Sequence, residues 1–378
     1  MRYTLAALSL TAFVACTTEE EPTPTLSIPT TYEFNRDGVS TVSFGGQIAR
    51  QDMLRELSTE MKSGVENTLD ADHLFDMYEN TNSPFSDADL NTSGKSLSTK
   101  TSASAIHVIN QGNTINFFKG WMQAAATASA ANATAADGTA GVIQNTDGTK
   151  KYLVNEQGVE YVQLIEKGLM GAVFMDQTVN NYLTTLKLDV DNTPENGNPY
   201  TDMEHHWDEG YGYFTVQQDL ELDYSVSQDR GFWGRYIVGL EAEFGLADQI
   251  YYAFRKGRAA IVAGEYDTRD EQIAPIAEGF EEATYLKALG YLNKGAADLS
   301  SGNAAAAFHE LSEGLGFIYS LRFGTSGKVS AAQSDEWIED LTTGSGFWSG
   351  DILSRIEQVK TEIGTAYQLP QTIVDGSH

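Results

Sequence analysis

The chain has 378 residues and a formal net charge of −29, with 53 Asp and Glu against 24 Lys and Arg, and it contains one cysteine. Such an acidic balance argues against nucleic acid as a partner and against direct adhesion to anionic lipid, and a lone cysteine excludes an internal disulfide. The charge is compatible with gathering cations, or simply with solubility in a salty medium.

Residues 1–15 carry Arg2 and an apolar stretch from Leu5 to Val14 broken only by Ser9 and Thr11, the composition of a signal peptide. The stretch falls short of the roughly 20 apolar residues that a transmembrane helix needs. Phe13-Val14-Ala15-Cys16 resembles the lipobox of bacterial lipoproteins, which implies cleavage before Cys16, a lipid on its sulfur and a membrane anchor. Residues 16–30, rich in Thr, Pro and Glu and without periodicity, read as a flexible tether. By resemblance to lipoprotein sorting, Thr17 implies the outer membrane, with the domain on its periplasmic or cell-surface face. The Glu19-Glu20-Glu21 triplet looks like tags that bring some such proteins to the surface.

Residues 31–378 leave about 345 residues, enough for one large core or two modest ones divided near residue 200. Thr31 to Phe34 is predicted extended and Asn35-Arg36-Asp37-Gly38 a turn. Ile48, Met53, Leu54, Leu57 and Met61 recur at helical spacing, and the polar residues 81–105 read as a long loop. Two helices are expected between 115 and 187, the second with one wide apolar face from Leu164 to Leu186. An Ala/Thr/Gly-rich stretch, Ala133 to Gly148, separates them. The acidic loop from Asp189 to Pro199 is not an EF-hand, because Pro194 stands where the invariant glycine belongs and Tyr200 where the last glutamate belongs.

The second half carries helical apolar faces through Ile237, Ile250, Ile276, Leu311 and Ile356, with capping boxes expected at Thr201/Glu204, Thr268/Glu271 and Ser330/Gln333. Without a run of alternating strands, the fold class is all-α: helical bundles with long loops. Glycines inside helical patterns, among them Gly168, Gly171, Gly314 and Gly316, point to close helix packing or kinks.

The densest chemistry lies in Thr201-Asp-Met-Glu-His-His-Trp-Asp-Glu209. With Thr201 as N-cap, Glu209 shares a helix face with His205 (i, i+4) or His206 (i, i+3), and imidazole with carboxylate suits iron or zinc. His309 and Glu313 repeat the i, i+4 offset, and two His/Glu helices facing each other can build a metal site. The plainer alternative is a helix-surface hydrogen bond or ion pair at each. His73 and His107 read as structural, and His378 as part of a frayed terminus. Arg255, Lys256 and Arg258 form the densest basic spot and are expected to pair with Asp or Glu. No G-x-S-x-G elbow, H-E-x-x-H motif or phosphate-binding glycine loop is present.

The opening Thr31-Tyr-Glu-Phe-Asn-Arg-Asp-Gly38, the block Tyr200 to Glu209, Lys256-Gly-Arg-Ala-Ala-Ile261 and Asp267-Thr-Arg-Asp-Glu-Gln-Ile273 together resemble a family of bacterial lipoproteins known as domain of unknown function 4856. More distantly the chain is similar to imelysin-like envelope proteins, all-α and linked to iron uptake, whose Gly-x-His-x-x-Glu motif His206 and Glu209 match in part; Glu204 holds the glycine position. The leading expectation is a lipid-anchored envelope protein that binds iron or zinc at His206 and Glu209, with His205, Asp208, His309 and Glu313 as further ligands, near an outer-membrane uptake system. The alternatives are a non-catalytic surface-binding or structural module, in which the His cluster is a packed polar core, and then a metallopeptidase, which would need an open coordination position and a positioned base.

Overall fold

Near the start of the described residues, Asn35–Arg36 (β1) and Val39–Ser40 (β2) pair antiparallel across Asp37 and Gly38, whose φ values are 53° and 78°. Two positive-φ residues suit the right-handed twist of a tight hairpin, and Asp-Gly supplies them at low cost. This computed structural model describes residues 26–104, 109–194 and 197–378. Cys16 and His107 lie outside the described residues.

Helices then dominate. Gly45–Ser63 (α1) is followed by Ala71–Glu79 (α2), Gln111–Ala131 (α3), Tyr161–Leu169 (α4), Asp202–Phe214 (α5), Gly231–Val238 (α6), Leu246–Ala263 (α7), Ile273–Ser300 (α8), Ala304–Ser320 (α9), Ala331–Thr342 (α10) and Ile352–Tyr367 (α11). The fold is therefore mostly α, as periodicity implied. The α8–α9 hairpin turns through Gly302 at φ 80° and packs α9 along α4, while α7 packs on α8 and α5, and α1 on α5 and α4. Buried apolar side chains from Tyr32 to Val374 form one connected cluster. Among the described residues, no helix is long and apolar enough to cross a membrane.

Several expectations need correction. Residues 161–180 are buried on every side rather than along one face, because α1, α3 and α9 all pack on α4. Beyond Leu169 the helix widens into π-helical turns at Met170–Met175 and Thr178–Tyr182. The Ala/Thr/Gly-rich stretch holds a hairpin, Gly141–Gln144 (β3) against Lys151–Val154 (β4), whose strands are too short to display alternation. The polar segment 81–105 contains a short helix at Ala88–Thr92 and a 3₁₀ turn at Ser98–Lys100. Of the three capping boxes, Thr201/Glu204 is reciprocal, and Ser330 caps by accepting from the Gln333 amide. Thr268 instead lies inside the short helix Tyr266–Asp270, which starts after Glu265.

Glycines set the closest helix approaches. A Cβ on Gly257 would lie 2.1 Å from Cζ2 of Trp207, a fully buried side chain whose indole N–H donates to the Phe254 carbonyl at 2.9 Å. Gly257→Ala is therefore expected to lower stability by about 1–3 kcal/mol through overpacking, seen as a fall in the thermal midpoint. An unchanged midpoint would mean that α5 and α7 can separate at little cost.

Candidate functional site

Helix α5 presents its ionisable residues to several different elements. Thr201 accepts from the Glu204 amide at 3.0 Å, and the Glu204 carboxylate accepts from the Thr201 amide at 2.8 Å, which satisfies donors left over at the helix start. One turn on, Asp208 shares the face of Glu204. Arg258 of α7 enters between them, donating from Nη1 to Glu204 at 2.9 Å and from Nε to Asp208 at 2.9 Å, with all three side chains fully buried. Arg36 adds a second cation to Glu204 at 2.9 Å. Asp208 also accepts from the Tyr32 hydroxyl at 2.7 Å and the Ser43 amide at 3.0 Å. Tyr32 in turn stacks on Tyr211 with ring centroids 3.5 Å apart. The cluster therefore ties residues 32–43 to α5 and α7. Of the basic spot expected to pair with acids, Arg258 does so, whereas Arg255 donates to the Pro29 and Thr30 carbonyls and Lys256 forms no ion pair among the described residues.

The two imidazoles face outward from this cluster. Nδ1 of His205 lies 2.9 Å from the Ser43 carbonyl, and its ring stacks on Tyr200. Nδ1 of His206 lies 2.7 Å from the Lys187 carbonyl. A carbonyl only accepts, so each Nδ1 carries the proton and each Nε2 keeps its lone pair while the ring is neutral. Burial pushes the His206 pKa below its ordinary value and so favours that neutral form. Glu209 accepts from Gln47 Nε2 at 3.0 Å and the Tyr182 hydroxyl at 3.1 Å. It therefore meets other helices, not the predicted histidine partners.

His309 and Glu313 also bond to different partners. His309 Nδ1 bonds Glu160 Oε2 at 2.6 Å, and the ring stacks on Tyr152 of β4. Glu313 accepts from Lys167 Nζ at 3.0 Å and from the Tyr236 hydroxyl at 3.4 Å. Among the described residues, no group of three or more His, Cys, Asp or Glu is gathered as a metal ion would need. His378 packs its ring against Phe244 and beside Glu243, in place of the expected frayed end.

A second ionic cluster surrounds Lys167, which sequence reasoning missed. Its ammonium, 3 % exposed, donates to Glu166, to Gln163 Oε1 at 3.0 Å and to Glu313. Gly316 makes the approach possible, since a Cβ there would lie 2.4 Å from the Lys167 Cβ. A readable signal existed: Gln163, Glu166 and Lys167 recur at i, i+3 and i+4 within an otherwise apolar run from Val162 to Val173, a polar stripe at helical spacing.

The cluster shifts its members in opposite directions. Burial works against the Lys167 charge, but Glu166 and Glu313 hold its pKa well above the ordinary value. Burial likewise opposes ionisation of His309, yet the bond to Glu160 and the charges of Glu160, Glu313 and Glu310 raise its pKa. For Glu166, burial is outweighed by the Lys167 and Lys62 charges and by hydrogen bonds from Lys167 and Ser58, which bring it from 4.5 to about 2. A carboxyl whose pKa is depressed on folding stabilises the protein above its unfolded pKa, and that contribution fades as pH falls through the folded value. Urea unfolding measured from pH 5 downward is expected to show this loss between about 4.5 and about 2. Glu166→Gln should flatten that part of the profile; an identical slope in the variant would reject the assignment.

Two cavities adjoin this cluster and share Lys62. One, of 220 Å³, is lined by Lys62, Lys151, Tyr152, Gln163 and His309 together with apolar side chains such as Met61 and Val65. The other, of 250 Å³, lies between α1 and α6 and is lined by Arg55, Lys62, Glu166, Phe232, Arg235 and Tyr236 among others. Buried titratable groups with shifted pKa values beside a cavity are a physical marker of a binding or catalytic site.

Fold and clusters together define a mostly α-helical protein with one ionic cluster enclosed in its core and another beneath a surface groove. The chain belongs to the family described as Domain of unknown function (DUF4856), which matches residues 29–370. No curated protein and no solved structure matches it.

Proposed function

We propose that this is a lipid-anchored binding protein of the cell envelope, tethered through Cys16 at the outer membrane. Its ligand is held without catalysis in the groove beside Lys167, and the α5 cluster maintains the fold. The observation that carries this reading is the set of partners around α5. Both imidazoles are capped by backbone carbonyls, and Glu204, Asp208 and Glu209 are occupied by Arg36, Arg258, Gln47, Tyr182 and Tyr32. Carboxylates committed to arginine are poor first ligands for a cation. The groove, by contrast, combines cavity volume with buried, perturbed charges.

A second reading, binding of iron or zinc in service of an uptake system, draws on one observation. Metal-ligating histidines commonly donate their other ring N–H to a backbone carbonyl, as His205 and His206 do. Elemental analysis separates the two. The soluble domain, free of any histidine tag, would be purified from iron- and zinc-supplemented medium beside His206→Ala/Glu209→Ala. The binding-module reading expects no stoichiometric metal in either protein. Near-stoichiometric metal lost in the variant would overturn it and establish the metal site.

A further inference from the structure

We propose that the 250 Å³ cavity between α1 and α6 binds a small aromatic carboxylate, its anionic group held by Arg235 and Lys62 and its ring resting against Phe232 and Tyr236. The proposal deepens the binding-module reading and rests on it.

The walls are in register. Arg55, Ser58, Thr59 and Lys62 fall at i, i+3, i+4 and i+7 along α1, and Phe232, Arg235 and Tyr236 at i, i+3 and i+4 along α6, so each helix turns one continuous stripe to the cavity. Electrostatics selects the ligand's sign. In a chain with 53 carboxylate residues and 24 Lys and Arg, this lining is locally cationic, with Arg55, Lys62 and Arg235 against Glu166 and Asp229. Arg55 is matched by Asp52 at 2.6 Å and Asp229 at 3.2 Å, and Glu166 by Lys167. Arg235 forms no ion pair among the described residues; it hydrogen-bonds the Tyr224 hydroxyl, with Tyr236 and Tyr291 close by. The carboxylate paired with Lys62, Glu166, stands 3.6 Å away, beyond hydrogen-bond contact. Arg235, without a carboxylate partner, and Lys62, in a long ion pair, thus line opposite walls, over a floor where Lys167 also holds Glu166.

The remaining lining limits the ligand's size and shape. Phe232 and Tyr236 are half-buried and offer ring surface, while a cavity of 250 Å³ takes about one substituted ring, at the small end of ligand pockets. An arginine fork and a lysine match a planar carboxylate.

The test is calorimetric titration of the full chain, purified in detergent, with benzoate, benzyl alcohol and inorganic phosphate. A buffer near 0.15 M ionic strength screens the protein's overall negative field beyond about 8 Å. Benzoate is expected to bind saturably and benzyl alcohol not to bind. Lys62→Gln/Arg235→Gln should weaken benzoate at least tenfold with a thermal midpoint lowered only by the small contribution of the ion pair between the exposed Lys62 and Glu166, and Arg235→Lys should recover part of the loss. The proposal is overturned if benzoate shows no saturable heat, if benzyl alcohol binds equally well, if the double variant binds benzoate as the parent does, or if phosphate alone binds. Bound metal in the elemental analysis would sink the parent reading and leave the benzoate result standing, so the two failures are distinguishable.

Discussion

Arg258→Met is expected to destabilise the protein by about 3–5 kcal/mol, the usual cost of removing one partner from a buried ion pair. The guanidinium touches Glu204 and Asp208 through separate nitrogens, and all three side chains are fully buried. Its loss strands two carboxylates in an apolar surround, with Arg36 left to serve Glu204 and Tyr32 to serve Asp208. Lysine cannot repair the site, because a point ammonium lacks the fork that reaches both acids. Urea unfolding at neutral pH measures the effect. Adding Glu204→Gln and Asp208→Asn to Arg258→Met should restore a substantial part of the loss, since amides carry no charge to strand. A single variant as stable as the parent would mean that water or a side-chain shift solvates both acids, and that the cluster does not hold residues 32–43 in place.

Lys167→Met is expected to cost a similar amount, about 3–5 kcal/mol, because Glu166 and Glu313 then face each other without their shared cation. Here the informative comparison is the triple variant Glu166→Met/Lys167→Met/Glu313→Leu. Buried ionic triads replaced by apolar residues of similar volume are often neutral or stabilising by about 1–4 kcal/mol. A triple variant at least as stable as the parent would show that the fold does not need the network, which leaves ligand binding in the adjoining groove as the reason for its charges. A triple variant as damaged as the single one would assign the network to stability and weaken the binding reading.

The two clusters differ in how far they could be anticipated. Thr201, Glu204 and Asp208 lie within eight residues of one another, and helical spacing alone places Glu204 and Asp208 on one face. Their cation, Arg258, is separated from Asp208 by 50 positions. The sequence marks the basic spot containing Arg258 but not which acid it would meet. The i, i+4 arithmetic for His205 and His309 describes the helices correctly but not the partners, since the Ser43 carbonyl and Glu160 arrive from elsewhere in the chain. Lys167 was legible as part of a polar stripe with Gln163 and Glu166, but amphipathic reasoning places such a stripe at the surface, and here every side of the helix is covered.

Periodicity, N-caps and turn residues act within a window of one or two helical turns, which is why the helical class, a turn at Asp37-Gly38 and the Thr201 cap could be read from the residues alone, though not that Asn35–Arg36 would pair as a strand. The pairing of Arg258 with Glu204 and Asp208, the burial of Lys167 and the groove over it depend on segments brought together across 50 to 174 positions. Over such separations the choice of partner is governed by which surfaces exclude water together and which charges can be neutralised there, and those are properties of the packed chain rather than of any local stretch.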